Sequence, residues 1–127
     1  MITAGEDVAL RILVVDDEPD LRYILRWIFE RAGHEVIDAG HGEAALTTVR
    51  MSPPDLVLTD MMMPVMDGAE LIRRLRGDPA TAQIPIIAVT GDPDLAGGAD
   101  VVFTKPWKAQ QLLTAANALL AKKADRT

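Results

Sequence analysis

Five short apolar runs alternate with amphipathic segments along the chain, and this alternation restricts the possible folds more than any other feature. The runs are rich in Val, Ile and Leu and too short for helices, so they predict strands at residues 11–15, 35–38, 55–60, 84–90 and 100–104. The segments between and after them predict helices at residues 19–32, 42–50, 68–77 and from the Lys105-Pro106-Trp107 turn onward. Such alternation is typical of a parallel sheet covered on both faces, so we predict an α/β fold.

Length and composition exclude several classes of protein. The 127 residues suit one domain, and we expect a core at residues 11–121 with flexible tails at 1–9 and 122–127. The net charge of −6 is spread along the chain, which argues against a nucleic-acid partner. The absence of cysteine excludes disulfides and thiolate metal sites. No run is long enough to cross a membrane and the first residues do not form a secretion signal, so we expect a cytoplasmic protein with no membrane partner.

Polar residues stand at the ends of four predicted strands. The first strand is followed by an acid pair, the third ends in an acid, the fourth ends in a hydroxyl residue and the fifth is followed by a base: Asp16 and Asp17, Asp60, Thr90 and Lys105. Each alone has an ordinary interpretation as a helix cap, a turn residue or a loop lysine. Because the carboxyl ends of parallel strands meet at one edge of the sheet, their joint occurrence favours a functional site.

The residue types at this edge indicate phosphoryl chemistry. Three carboxylates without His or Cys suit a hard cation such as Mg²⁺, which keeps room for waters and a phosphate oxygen. A carboxylate can act as nucleophile and carry the phosphoryl group as an acyl phosphate. Transfer then needs positioning and charge compensation, which Mg²⁺ and the Lys105 ammonium can supply. We therefore predict a magnesium-assisted phosphoryl site centred on Asp60.

Four motifs together resemble the receiver domain of bacterial two-component response regulators over residues 11 to about 121. They are Val14-Val15-Asp16-Asp17, Asp60 with Met63-Pro64-Val65-Met66-Asp67-Gly68, Val89-Thr90-Gly91, and Lys105-Pro106. The resemblance implies a flavodoxin-like, doubly wound sheet of five parallel strands in the order 2-1-3-4-5. It also implies a function as the phosphoacceptor of a two-component phosphorelay, in which the protein catalyses only its own phosphorylation and dephosphorylation.

The same resemblance assigns partners and residue roles. Asp60 would accept phosphate from a sensor histidine kinase or a histidine phosphotransfer protein, and the phosphorylated form would bind a downstream reader of unknown identity. Mg²⁺ would be held by Asp16, Asp17, Asp60 and the backbone carbonyl of Met62. The phosphoryl oxygens would contact Thr90 and Lys105, and the peptide bond between Lys105 and Pro106 would be cis.

The spacing between Thr90 and Lys105 departs from the family pattern. The two residues are 15 positions apart, roughly seven fewer than receivers usually have, which is a loss of about two helical turns. Pro93, Gly97 and Gly98 further disfavour a helix there. We therefore expect the family's fourth helix to be reduced to a mobile loop.

A second departure concerns the switch residues. Val102 stands where most receivers carry a switching Tyr or Phe, and strand alternation should place Phe103 on the opposite side. We hypothesise that phosphorylation acts through Thr90 to order the loop from Gly91 to Gly98. Asp92 stands where receivers tune the hydrolysis of their phosphate, but the sequence does not indicate in which direction.

Two alternatives to this function stay open at the level of sequence. The chain could be a pseudo-receiver that serves only as an interaction module, or a phosphatase or mutase that works through an aspartyl phosphate. Enzymes of the latter kind tend to place the nucleophile in an Asp-x-Asp pair on the first strand, whereas this chain has adjacent acids there. We expect a single-domain regulator, because no stretch after residue 121 is long enough for an output module.

Overall fold

The computed structural model describes residues 10–125 and contains five strands and four α-helices. In chain order they are β1 (Arg11–Val15), α1 (Pro19–Arg31), β2 (Glu35–Ala39), α2 (Gly42–Met51), β3 (Leu56–Asp60), α3 (Gly68–Gly77), β4 (Ile86–Thr90), β5 (Val101–Thr104) and α4 (Ala109–Asp125). The tail expected at residues 1–9 lies outside the described residues, as do residues 126–127. Residues 122–125 belong to α4, although the sequence predicts a tail there.

The strands form one parallel sheet in the order β2-β1-β3-β4-β5, which confirms the flavodoxin-like arrangement. β3 and β4 lie inside the sheet, and every residue of both strands is buried. Val15 pairs with Thr59, and Asp60 pairs with Val89. The carboxyl ends of the inner strands are therefore level with one another, and the polar residues at these ends share one edge.

Two apolar clusters cover the two faces of the sheet. One contains the inward residues of α2, α3 and the β3–α3 loop, and the other contains those of α1 and α4. Phe29, Leu71 and Leu112 are fully buried representatives of α1, α3 and α4. Burying such large side chains contributes roughly 1.5–3 kcal/mol each, so packing on both faces holds the sheet edge in place.

Three predicted strands begin later in the structure than in the sequence interpretation. Pro85 lacks an N–H and lies before β4, although its carbonyl accepts the Val57 N–H at 3.0 Å. Asp55 and Asp100 precede β3 and β5, and each carboxylate accepts a backbone N–H of the adjacent strand, from Arg11 at 2.8 Å and from Ile86 at 2.7 Å. These carboxylates stabilise the amino-terminal edge of the sheet rather than extend its strands.

The segment between β4 and β5 has no α-helix, which is consistent with the predicted reduction of the family's fourth helix. It contains a single 3-10 turn, Pro93–Leu95, in which the Asp94 N–H donates to the Asp92 carboxylate at 3.1 Å. Ala96, directly after the turn, is 4% exposed and packs in the cluster with α2 and α3. The mobility expected for this loop stays a prediction. Because Ala96 is buried, we expect residues 91–95 to be the more mobile part of the loop.

Arg76, at the end of α3, holds the other end of this loop. Its guanidinium donates to the Gly98 carbonyl at 3.1 Å and to the Asp100 carboxylate at 2.8 Å. It also donates to the carbonyls of Ala82 at 2.7 Å and Ile84 at 2.8 Å. One planar side chain thus joins α3, the approach to β4 and the carboxyl-terminal part of the β4–β5 loop.

Val65 occupies a strained turn in the β3–α3 loop, and our first prediction concerns its replacement. Its φ is 69°, the Met66 N–H donates to the Pro64 carbonyl at 2.8 Å, and its side chain is fully exposed. A β-branched residue at positive φ costs about 1–3 kcal/mol, and no packing offsets that cost here. We expect Val65→Gly and Val65→Asn to raise the free energy of unfolding by about 1 kcal/mol in urea titrations. Val65→Ala is the control, and destabilisation by both Gly and Asn would contradict the interpretation.

Candidate functional site

The acid pair lies where β1 leaves the sheet. The Asp16 N–H donates to the Ala39 carbonyl of β2 at 3.2 Å, and its carboxylate accepts the Glu18 N–H at 2.9 Å. This local turn starts α1, whose first residue is Pro19. Asp16 is 4% exposed, whereas Asp17 is exposed. The pair therefore offers one buried and one accessible carboxylate to the same edge.

Asp60 ends β3 at the centre of the edge and is 5% exposed. Its Oδ1 accepts the Met61 N–H at 2.7 Å and, more weakly, the Met62 N–H at 3.4 Å. Its Oδ2 lies 3.5 Å from the Lys105 ammonium, which follows β5. One oxygen of the carboxylate is thus fixed by the backbone, and the other faces the Lys105 ammonium.

The three acids come together as the sequence predicts. Asp16, Asp17 and Asp60 each offer an oxygen, and these oxygens lie within 4.8 Å of one another. The cluster is an all-oxygen donor set, and its three carboxylates outnumber the one ammonium beside them. Hard divalent cations such as Mg²⁺ prefer such donors and neutralise the surplus charge. The residues present therefore fit a magnesium ion.

Burial raises the pKa of the Asp16 carboxyl above its model-compound value of 3.8, and the negative charges of Asp60 and Asp17 raise it further. The Glu18 N–H and the Lys105 ammonium lower it, but do not cancel the effect of burial. Ionisation of Asp16 is therefore less favourable in the folded protein without a cation than in the unfolded chain. A bound divalent cation would reduce this free-energy cost of ionising Asp16.

Our second prediction is that Asp16→Asn stabilises the metal-free protein. The folded pKa lies above the unfolded value, so the folded state binds the proton more tightly. The contribution of Asp16 to wild-type stability in EDTA should then fall as the pH rises from 3.8 through its folded pKa. Asn keeps an acceptor for the Glu18 N–H but has no charge, so we expect a gain of about 1 kcal/mol at pH 7. Urea unfolding between pH 4 and 7 measures it, and a loss of stability at pH 7 would contradict it.

Thr90 and Lys105 lie at the same edge, but their contacts differ. Lys105 reaches Asp60 directly, and its backbone N–H donates to the Thr90 carbonyl at 3.0 Å. Thr90 is fully buried, and its hydroxyl accepts the Asp92 N–H at 3.0 Å and donates to the Asp92 carbonyl at 3.2 Å. Thr90 is therefore bonded to the β4–β5 loop. The peptide bond between Lys105 and Pro106 is cis.

The remaining residues named by the sequence lie on β5 and in the loops that follow β3 and β4. Val102 is 37% exposed, whereas Phe103 is partly buried against the cluster that contains α1 and α4, which agrees with the expected alternation on β5. Met62 follows Asp60 by two residues with an exposed side chain, and metal binding by its carbonyl stays a prediction. The Asp92 carboxylate caps the 3-10 turn.

Fold and site together define a class: an open parallel α/β domain with an acidic cluster and a lysine around one aspartate at its carboxyl edge. The family model of the response regulator receiver domain matches residues 12–117. The chain therefore belongs to the receiver-domain family of response regulators.

Known relatives agree with this membership. The DNA-binding response regulator MtrA of Mycolicibacterium smegmatis is 38% identical over 122 residues, which cover 91% of this chain and 52% of MtrA. Protein PilH of Pseudomonas aeruginosa is 37% identical over 118 residues, 87% of this chain and 98% of PilH. The chain thus spans about half the length of MtrA.

A solved structure shows the same architecture. The signal receiver domain of a signal transduction histidine kinase from Syntrophus aciditrophicus superposes with a TM-score of 0.85 at 36% identity, covering 90% of this chain and 92% of that one. Within residues 10–125, none of the helices combines the length and apolarity needed to cross a bilayer.

Proposed function

We propose that this receiver domain accepts a phosphoryl group on Asp60 in a Mg²⁺-dependent reaction and thereby changes its binding to a reader protein. The donor would be the phosphohistidine of a sensor histidine kinase or of a phosphotransfer protein, in the cytoplasm. The observation that supports this most directly is the convergence of three carboxylates within 4.8 Å beside the Lys105 ammonium. Two-component signalling is the function of the family to which the chain belongs.

The geometry of Asp60 suggests which oxygen reacts. Oδ1 is held by the Met61 N–H, so we assign the attack on phosphorus to Oδ2. The new P–O bond forms as the P–N bond of phosphohistidine breaks, and the electron pair of that bond returns to the imidazole. Asp16, Asp17, Asp60 and the Met62 carbonyl would hold Mg²⁺, which would compensate the charge on the transferring oxygens. The Lys105 ammonium, 3.5 Å from Oδ2, would contact a phosphoryl oxygen.

Thr90 is the residue that we propose to link the site to the β4–β5 loop. Its hydroxyl donates to the Asp92 carbonyl, so it has to give up this bond before it can donate to a phosphoryl oxygen, whereas the bond that it accepts from the Asp92 N–H does not compete. Val102 cannot follow with an aromatic ring, so the loop itself is the element that changes. This is the order–disorder type of switch, in which a local hydrogen bond biases a mobile segment.

Our third prediction follows from this link. Beryllofluoride, a phosphoryl mimic, is expected to change the relaxation and amide exchange of residues 91–95. Residues 96–98 should change less, because Ala96 is buried and the Gly98 carbonyl is bound by Arg76. Thr90→Val is the matched control, since it removes the hydroxyl and keeps the shape. Unchanged loop relaxation would contradict the switch, and amide exchange as slow as that of α1 would contradict the mobility of the loop.

The test of the proposed function is intact mass after incubation with a small phosphodonor. With Mg²⁺, the full chain should gain the mass of one phosphoryl group, and the adduct should be lost with hydroxylamine, which cleaves acyl phosphates. EDTA should prevent its formation. Multiple adducts or an adduct stable to hydroxylamine would contradict the proposal.

The same experiment separates the alternative functions. Release of product from a phosphoester supplied in excess would support an aspartyl-phosphate phosphatase. No adduct, despite folded protein and saturating Mg²⁺, would support a receiver that serves only as an interaction module. Each result excludes the other two functions, because only the phosphoacceptor forms a stoichiometric adduct without turnover of an ester.

A further inference from the structure

Arg22 of α1 connects the acid pair after β1 to the end of β2. Its Nη1 donates to the Asp16 backbone carbonyl at 2.8 Å, and its Nε lies 3.5 Å from the Asp38 carboxylate. The side chain is 22% exposed. A guanidinium can reach both partners because its donors form a rigid planar fork, which an ammonium does not have.

Gly40, just beyond β2, closes the space around this guanidinium. A Cβ at Gly40 would lie 3.2 Å from Arg22 Nη1, so the guanidinium lies directly over the Gly40 backbone. Arg22 is therefore confined by a carbonyl, a carboxylate and a main chain. These neighbours restrict the orientation of the Arg22 guanidinium.

This contact fixes the peptide plane between Asp16 and Asp17. The Asp16 N–H is bonded to the Ala39 carbonyl and its carbonyl to Arg22, so both backbone groups of Asp16 have partners. Asp17 is exposed, so the position of its backbone limits where its carboxylate can lie relative to Asp60. Partners behind a metal ligand of this kind typically affect metal affinity by about 10–100-fold.

We propose that Arg22 is a positioning residue, which holds Asp16 and Asp17 in the cation-binding arrangement through the Asp16 carbonyl, with Asp38 as its anchor. The inference rests on the proposed function, because it takes Mg²⁺ as the cation. Because Arg22 acts by holding the backbone in place, this role requires the planar guanidinium with its several donors and not merely a positive charge nearby.

Arg26, one turn further along α1, provides the matched control. Its guanidinium lies 3.2 Å from the Asp38 carboxylate and 3.1 Å from Glu30. Among the described residues its hydrogen bonds go to these two carboxylates and not to Asp16. Arg26→Ala thus removes an ion pair with the same Asp38 and leaves the Asp16 carbonyl bonded.

The experiment is isothermal titration of the full chain with Mg²⁺ as the chloride, paired with urea unfolding in EDTA. Arg22→Ala is expected to weaken Mg²⁺ binding about tenfold, and Arg26→Ala to change it less than twofold. Arg22→Lys should behave like Arg22→Ala, because lysine keeps the charge without the fork. Weakening by Arg26→Ala equal to that of Arg22→Ala, or full affinity in Arg22→Lys, would overturn the inference.

If Arg22→Ala does not fold, Arg22→Lys, which keeps the charge and most of the side chain, carries the test, and an unchanged dissociation constant in that folded variant would overturn the inference. Asp17→Asn separates this inference from the proposed function. If the wild type binds Mg²⁺, Asp17→Asn does not and Arg22→Ala still does, the role of Arg22 alone is overturned. If the wild type does not bind Mg²⁺, both the role of Arg22 and the proposed function are overturned.

Discussion

Asp60→Asn is expected to reduce phosphoryl uptake from a small phosphodonor to background, a loss of more than about 10³-fold. A carboxamide is not a competent nucleophile, and Lys105 loses the charged partner that lies 3.5 Å away. The amide oxygen can still accept the Met61 N–H, now 2.7 Å from Oδ1, so the β3–α3 loop should stay in place. The measurement is intact mass over time at matched phosphodonor and Mg²⁺ concentrations.

Asp67→Asn is the control for this experiment. Asp67 is an exposed carboxylate seven positions away that caps α3 by accepting the Glu70 N–H at 2.9 Å, and an amide oxygen can replace it. This variant should form the wild-type adduct at the wild-type rate. An adduct of wild-type yield in Asp60→Asn, or one that maps to Asp16 or Asp17, would show that another carboxylate is the acceptor.

The fold could be predicted from the sequence because its signals are local. Each strand is an apolar run that ends at a residue with a different preference, as β3 does at Asp60, so its end is visible without tertiary information. The starts of β3, β4 and β5 were harder to place. Pro85 and Asp100 lie next to strands and look like parts of them, but one lacks a donor and the other uses its carboxylate across the sheet.

The site could be predicted to the same extent, because parallel strands bring their carboxyl ends to one edge whatever the side chains are. Residues that act through backbone groups could not be predicted from the sequence. Arg22 bonds the Asp16 carbonyl, and Arg76 bonds the carbonyls of Ala82, Ile84 and Gly98. Every residue has a carbonyl, so these partners leave no mark in the sequence. Thr90 could be named from the sequence, but the partners of its hydroxyl could not, since they are the backbone N–H and carbonyl of Asp92.

Gly68→Ala is expected to destabilise the protein by about 3 kcal/mol, a large part of the stability of a domain of this size. Gly68 begins α3, is buried and lies against the chain that carries Asp60. A Cβ there would overlap the Asp60 carbonyl oxygen and lie 2.7 Å from the Met61 Cα. These neighbours are backbone atoms of a central strand and its exit, so they cannot rotate away as a side chain could.

Relief of this overlap would move the residue that we propose as phosphoacceptor. The Gly68 N–H donates to the Met61 carbonyl at 3.0 Å, so the helix start and the exit of β3 shift together. We therefore expect the folded fraction of Gly68→Ala to be phosphorylated at least about tenfold more slowly, since catalytic groups tolerate displacements of well under 1 Å. Urea unfolding gives the stability, and intact mass at matched folded concentration gives the rate.

Gly77→Ala, at the other end of the same helix, is the control that isolates the close approach. Gly77 is exposed, and a Cβ there would meet nothing within 4 Å. Alanine should be neutral or stabilise α3 by up to about 1 kcal/mol, because it restricts the unfolded chain. If Gly68→Ala were as stable and as readily phosphorylated as Gly77→Ala, the exit of β3 would have room to adjust, and the geometry of the Asp60 site would not depend on the missing side chain at position 68.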